Sequence, residues 1–549
     1  MITDEKNPAP EVRSSWVPMV GLFLAQILMS FNVSALPVSL GGMVADFGVP
    51  PTSVSTAIVT YGLVVAALVM VGAKLGQRVG WIIMFRIVVA LFAVSALLMI
   101  LAPTVAWVIT AQAFAGASAA IIVPSLVALI AENYRGSQQA TAIGSLGSAR
   151  ALAGVSAFLV GGTLATFVGW RPVFGIVLAL AIAVFLFSFR LRSDAGNPAV
   201  KIDLVAAVLI GGGIVALTLG FNNLNGWGVL EATAAAPFDV VGLSPAPLLI
   251  VIGVVLGQAF FLWTKRRTAA GKVPLVSLAV LGSSPERAAV YAMFVVVSLE
   301  AALNFTVPLY IQIVQGRTPF DTSLAMMPFN LTVFVTATLV VRLYKRFPPR
   351  TIAMVGFGLT TVALLWLSLV VTNDWETLPT ILGLFVFGVG QGALVTLVFN
   401  VLVTAAPKEL AGDVGSVRGT TQNLASAVGT AVSGALLVTI LAFNVGTAVM
   451  NDVDLPPELV SQVDLDSVNF VSNDQLRTTL QEVTDATPTQ VEAAVAVNTQ
   501  ARLSALKLGL LIMAAVSALA ILPASRLPAY RPHEIPDPTP VSDEARRVA

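Results

Sequence analysis

The acid placed deepest in apolar sequence is Glu300, in YAMFVVVSLEAALNFTVPLY over residues 291–310. A charge at the centre of a membrane helix costs about 2.5–3.5 kcal/mol on insertion scales, so it is expected to be paired, protonated or facing water. Burial favours the neutral form of a carboxyl, and a carboxyl reached alternately from two sides can carry a proton between them. The plainer reading is a structural carboxyl hydrogen-bonded to a neighbouring helix. Arg150, in GSLGSARALAG, is the natural electrostatic partner, because two facing ions cost less together than either does alone. Its competing reading is a long side chain that snorkels to the membrane surface, and Arg86 and Arg418, closer to helix ends, are read that way. Asn304 lies one helical turn beyond Glu300, on the same face. Asn32, Gln112, Gln312, Gln422 and Asn423 are amides in or near apolar runs. They can present hydrogen bonds inside a mostly apolar cavity, or serve as glue between helices.

Other chemistries are excluded by what is missing. No GxxxxGK[ST] phosphate loop occurs, so ATP has no binding motif here. The single His is His533 in the polar C-terminal tail, and Cys is absent, which removes thiolate metal sites and cysteine nucleophiles. No cofactor, metal or enzymatic activity is expected. The net charge of +1 gives no reason to expect nucleic acid.

Elements able to hold a buried ion pair follow from the apolar pattern. Of 549 residues, 57% are hydrophobic and 11% charged, with a mean hydropathy of +0.89. A bilayer core about 30 Å thick needs about 20 apolar residues per helix. Fourteen stretches qualify, near 16–39, 53–73, 81–102, 106–130, 141–167, 170–189, 203–222, 246–264, 288–312, 323–343, 351–371, 378–403, 417–442 and 505–524. Lys and Arg gather in alternate connections, among them Lys74, Arg78, Arg190, Lys201, Arg266, Arg346 and Lys408. By the positive-inside rule, both termini are expected in the cytoplasm. GAKLGQRVGW, residues 72–81, reads as a basic turn between the second and third spans. Trp170, Trp263 and Trp375 read as interface anchors, and the glycines of 388–393 and 427–435 as sites of close helix packing.

A weak internal repeat supports two related halves. Leu75-Gly76-Gln77-Arg78 is matched 268 residues later by Leu343-Tyr344-Lys345-Arg346, and GSLGSAR stands at the same offset from GDVGSVR. Two six-helix halves with two inserted helices give that offset, and such repeats are typical of secondary transporters. The expected division is a tail at 1–15, a first half at 16–189, inserted helices and linkers at 190–272, a second half at 273–525 and a tail at 526–549. Within the second half, 443–503 is extracytoplasmic. Residues 451–503 hold nine acids against two arginines. Thr487-Pro488-Thr489-Gln490 is a helix-start signature, from which a helix should run directly into the last span.

These motifs give the chain a resemblance to the fourteen-helix drug:proton antiporters of the major facilitator superfamily. FTVPLYIQIVQGRTPFDTSLAMMPFNL at 305–331 carries it most specifically, with support from AFAGASAAIIVPSLVALIA at 113–131, WRPVFGI at 170–176 and SVRGTTQNLASAVGTAVSGALL at 416–437. The family's loop after the second helix reads Gly-x-Leu-x-Asp-Arg-x-Gly-Arg-Arg. Leu75, Arg78 and Gly80 keep their places in it, while Ala73, Gln77, Trp81 and Ile82 replace the first glycine, the acid and the trailing bases. The family's membrane-embedded Arg falls on Gln112, its Gly-Pro pair on Ala157-Phe158 and its first-helix Asp on Leu28.

The resemblance implies an all-α major facilitator fold in a bacterial plasma membrane, working as a monomer by alternating access. It also implies export of lipophilic or cationic compounds in exchange for protons, with Leu75, Gln77, Arg78, Gly80 and Arg346 as gating-loop positions. The altered hallmarks leave open an uncoupled facilitator, or an exporter of an envelope lipid or metabolite. A membrane scaffold or sensor is the reading of another class, and the buried ions argue against it.

Overall fold

The computed structural model describes residues 15–529 except 135, 192–194, 225, 234–235, 344–345, 374–376, 406–410, 452–472 and 484–486. The N-terminal tail before Ser15, the C-terminal tail after Ala529, most of the acidic segment, Lys408 and Trp375 therefore lie outside the described residues. Among the described residues, fourteen helices are long and apolar enough to cross a membrane, and no sheet forms. Lipid offers the backbone no hydrogen-bond partner, so each span closes its own N–H and C=O groups within a helix.

The first half comprises α1 (Val17–Val38), the short α2 (Leu40–Phe47), α3 (Pro51–Val79), α4 (Trp81–Leu101), α5 (Val105–Asn133), α6 (Gly136–Ser156), α7 (Gly162–Phe167) and α8 (Arg171–Phe187). A π-helical turn, Ala157–Gly161, joins α6 to α7. The inserted pair is α9 (Leu204–Asn222) and α10 (Pro245–Ala269). The second half comprises α11 (Ser284–Leu309), α12 (Pro319–Leu343), α13 (Pro349–Val370), α14 (Leu378–Ala405), α15 (Ala411–Asn451), α16 (Asn473–Val483), α17 (Pro488–Leu519) and α18 (Ile521–Ala524).

Helix starts follow from local chemistry. Proline occupies the first turn of α1, α3, α8, α10, α11, α13 and α17, where its fixed φ is already helical and its missing N–H is not needed. Ser283 and Glu286 close a capping box on α11, and Thr487 and Gln490 close one on α17. The latter is the start read from the sequence, and α17 runs from there into the last span. Asp203 caps α9 through Ala206 N at 3.2 Å, and the same carboxylate takes Arg267 and Trp263 of α10, each at 3.0 Å.

The first span ends at Val38, as read, and the short α2 follows it from Leu40. One expectation is corrected. The basic stretch at 72–81 is not a turn: α3 continues helically to Val79, and only Gly80, at φ 109°, breaks the chain between α3 and α4. A residue with a Cβ is strained at that φ. Lys74 is therefore a helical side chain, buried and paired at 3.5 Å with Asp413 at the start of α15. Asp413 also accepts Ser277 N at 2.9 Å. This carboxylate thus ties the first half, the linker after α10 and the second half together at the membrane face where the described chain begins and ends, called below the terminus side.

Within the halves, α5 packs on α3 and α4, and α14 packs on α12 and α13; between the halves, α3 meets α15, α6 meets α12, and α1 meets α11. Glycine sets several of these approaches. A Cβ on Gly388, Gly390 or Gly392 of α14 would lie 2.6–2.8 Å from a carbonyl oxygen of Phe329, Gly356 or Val333, and one on Gly429 would collide with Ser298 of α11. Trp170 is buried and donates to Asp46 at 3.2 Å, so it packs within the protein rather than anchoring it at the interface.

Two outcomes follow. Gly429→Val forces α15 from α11 and should destabilise the detergent-purified protein by about 1–3 kcal/mol, the usual range for overpacking, read as a lowered thermal midpoint. Asp413→Asn strands Lys74 in a buried setting and should cost about 3 kcal/mol, whereas Lys74→Met with Asp413→Leu should recover most of that loss in the same scan.

Candidate functional site

A cavity of about 590 Å³ lies between the two halves, walled mainly by α1, α3, α6, α11, α12, α14 and α15. Its size is typical of small-molecule sites. The lining runs from Leu36 and Pro37, far from the terminus side, to Pro349 and Pro528 on that side. Most of it is apolar, with Val33, Ile58, Val297, Phe305 and Phe329 among the lining residues. Among the described residues, three charged side chains reach it: Arg150, Glu300 and Arg418.

Arg150 and Glu300 come together here. Because α6 starts at Gly136, Arg150 lies about four turns inside it. Glu300 lies past the middle of α11. Arg150 Nη2 donates to Glu300 Oε2 at 2.8 Å, and the two side chains are 23% and 20% exposed, the remaining exposure being to the cavity. The pair joins α6 of one half to α11 of the other. Two turns beyond Arg150 comes the π-helical turn at Ala157–Phe158, the place of the family's Gly-Pro pair. Such turns are common next to functional sites.

The amides separate into two groups. Asn304 lines the cavity one turn from Glu300, and its Oδ1 is buried with no hydrogen-bond partner. Gln422 and Asn423 also line it, with Asn423 Nδ2 donating to Gly419 O at 2.8 Å. Asn32 and Gln112 do not line the cavity. They face each other across α1 and α5, with Asn32 Nδ2 donating to Gln112 Oε1 at 2.9 Å and the reverse contact at 3.5 Å. Gln112, which takes the place of a family Arg, thus acts as interhelical glue. Gln312 lies outside the cavity too. From the π-helical turn after α11 it donates to Pro37 O at 3.1 Å and accepts Gly41 N at 2.8 Å, fastening the break between α1 and α2. With Phe320 N donating to Thr166 Oγ1 at 3.0 Å, it links the halves on the face away from the terminus side.

The gating-loop positions sit at the opposite face. Leu75 and Gln77 are half-buried on the last turns of α3, and Gln77 O accepts Asn197 N at 2.9 Å from the linker toward α9. Arg78 is exposed, as is Arg346 in the turn after α12. Sequence reasoning missed Arg418, read as snorkelling but lining the cavity, and the Lys74–Asp413 pair. The signal for Arg418 was present: Gln422, already singled out, lies one turn along the same face. Arg86 stays near its helix end, donating to Ser188 Oγ at 3.3 Å and Ser188 O at 3.2 Å.

Known proteins share this architecture. The chain is 28% identical over 416 residues to the cephamycin export protein CmcT of Amycolatopsis lactamdurans, an alignment that covers 74% of this chain and 82% of that protein. It is 26% identical over 434 residues to the multidrug efflux pump LfrA of Mycolicibacterium smegmatis, covering 78% and 82%. Among solved structures, an inward-facing, occupied bacterial homologue of the human lysosomal transporter Spinster superposes with a TM-score of 0.56 at 15% identity, covering 94% of this chain and 98% of that one. A peptide transporter in complex with sulfate superposes at 0.55 and 16% identity, covering 93% and 96%. The family model described as Major Facilitator Superfamily matches residues 22–430. With fourteen apolar spans among the described residues and a cavity between two halves, the chain belongs to the major facilitator superfamily, a family of membrane transporters.

Proposed function

We propose that the chain exports lipophilic small molecules from the cytoplasm in exchange for protons, by alternating access at the cavity between its halves. The terminus side is the cytoplasmic face of the plasma membrane in this reading, as the distribution of Lys and Arg requires. The observation that carries it is the Arg150–Glu300 pair at 2.8 Å, which spans the cavity from α6 to α11. While Glu300 is ionised, the pair holds two helices of opposite halves together. A proton on Glu300 removes the charge that Arg150 attracts and releases that tie, so proton occupancy biases how the halves meet. The apolar wall binds the body of the substrate, and the free Oδ1 of Asn304 accepts a donor from it. Names among the relatives, an antibiotic exporter and a multidrug efflux pump, support the direction and the substrate class.

A second reading, an uncoupled facilitator, is favoured by one specific observation. The family's membrane acid and Arg are replaced by Leu28 and Gln112, and Gln112 is satisfied by Asn32. Uptake of the uncharged dye Nile red into everted vesicles, with an imposed pH gradient and without, separates the two. In the exchange reading, wild type accumulates dye only with the interior acidic, and both Glu300→Gln and the doubly neutral Glu300→Gln/Arg150→Gln lose that response. Gradient-independent movement by wild type and both variants alike establishes the facilitator instead.

A further inference from the structure

Two asparagines on the cavity wall are fixed in the same orientation. Asn330 of α12 donates its Nδ2 to Met326 O at 3.0 Å, and Asn423 of α15 donates its Nδ2 to Gly419 O at 2.8 Å. Each of these carbonyls lies one turn back on the asparagine's own helix, and an amide oxygen set against it would be repelled. The donor end is therefore held there, and Oδ1 is turned away. Asn330 Oδ1 looks across to α6: a Cβ on Gly154, which lines the same cavity, would lie 3.3 Å from it. Neither Oδ1 accepts a hydrogen bond from any described residue. Asn304 of α11 adds a third amide oxygen without a partner. Three helices of the second half thus each bring an amide acceptor to the wall of one largely apolar cavity.

We infer that the substrate is a lipophilic alcohol or phenol with hydroxyl groups on more than one edge, its body against Val33, Ile58 and Phe329 and its hydroxyls donating to Asn330 and Asn423. A body of the same shape without donors would shut water away from these oxygens and leave them unpaired, which a buried acceptor penalises. A hydroxyl also accepts, so Gln422 and Ser426, which line the cavity on the same helix as Asn423, can donate back to it. An ether can only accept. Acceptors carried by separate helices call for donors on separate edges, which suits a rigid polycyclic body better than a chain with one polar end. Asn330 and Asn423 are the specificity-determining residues, and they select by hydrogen-bond polarity rather than by charge.

The inference rests on the proposed function only in taking this cavity as the substrate site, and its test is equilibrium binding to the purified full chain without any gradient. The probes are a pyrene diol with hydroxymethyl groups on opposite edges and its dimethyl ether, which share one ring system and differ in having hydroxyl donors or none. Energy transfer from the protein's tryptophans to the bound pyrene reports binding, and each affinity is corrected for the probe's partition into empty micelles. The diol should bind wild type at least about fivefold more tightly than the diether, the factor that one net hydrogen bond of ordinary strength supplies. Asn330→Leu and Asn423→Leu should each narrow that ratio, and the double variant should abolish it. Both probes are read on the same protein, so a partly folded variant loses signal without changing the ratio. Equal corrected affinities in wild type overturn the inference, as does an undiminished ratio in the double variant. If the double variant does not fold, the single variants and the wild-type comparison still decide. Nile red carries no donor, so its uptake tests export apart from these acceptors, and the binding ratio tests the acceptors apart from export.

Discussion

The ion pair between Arg150 and Glu300 is the constraint around which the rest is arranged. Two charges in the plane of a membrane are stable only when they face each other and share what water a cavity admits. Meeting at 2.8 Å requires α6 and α11, which belong to different halves of the chain, to approach across the central space. The cavity is the volume left around that approach, and the pair's partial exposure is exposure to the cavity itself. In the proposed exchange, one proton on Glu300 cancels an attraction between the two halves.

Contacts between the halves differ in kind at the two membrane faces. Away from the terminus side, the halves are joined by neutral hydrogen bonds from Gln312 and Thr166 to backbone. On the terminus side, the link is ionic, Lys74 to Asp413, with Ser277 N on the second carboxylate oxygen. Individual bonds of these kinds contribute modest net free energy, so a few of them can be exchanged without unfolding the halves. Inside each half the packing is of another sort: glycine approaches such as those of α14 bring helices to carbonyl contact, where no side chain can be inserted. Rigid halves with exchangeable links are what rocking about a central site needs.

The inserted pair α9–α10 packs on the flank, against α3 and α15, and contributes nothing to the described cavity lining. Its ties are local: Asp203 gathers the α9 cap, Trp263 and Arg267 into one cluster. The linker preceding it runs under the end of α3, where Asn197 N meets Gln77 O. The position that holds an acid in the family is here bound through its backbone.

Much of this was legible in the sequence, because lipid makes the rules strict. Long apolar runs can only be helices when the solvent offers no hydrogen bonds, so fourteen spans, proline starts and the Thr487–Gln490 cap could be read directly. Glu300 and Arg150 were conspicuous for the same reason: a buried charge is costly wherever it falls, and cost marks it. Direction was not legible. Whether Asn32, Gln112, Gln312 and Gln422 face a cavity or one another depends on helix rotation and on which helices meet, and an amide is inexpensive enough in either role to leave no trace in the pattern. Lys74 looked like a loop charge because basic residues beside glycines usually are; the helix runs on through them because α3 packs against α5 there and turns only at Gly80. The sequence by itself determined the number of spans and the identity of the buried charges, through the cost of exposing polar groups to lipid. Only the tertiary structure decided which of those groups share a cavity, and brought Arg418 to its wall beside Arg150 and Glu300, because that depends on contacts between residues hundreds of positions apart.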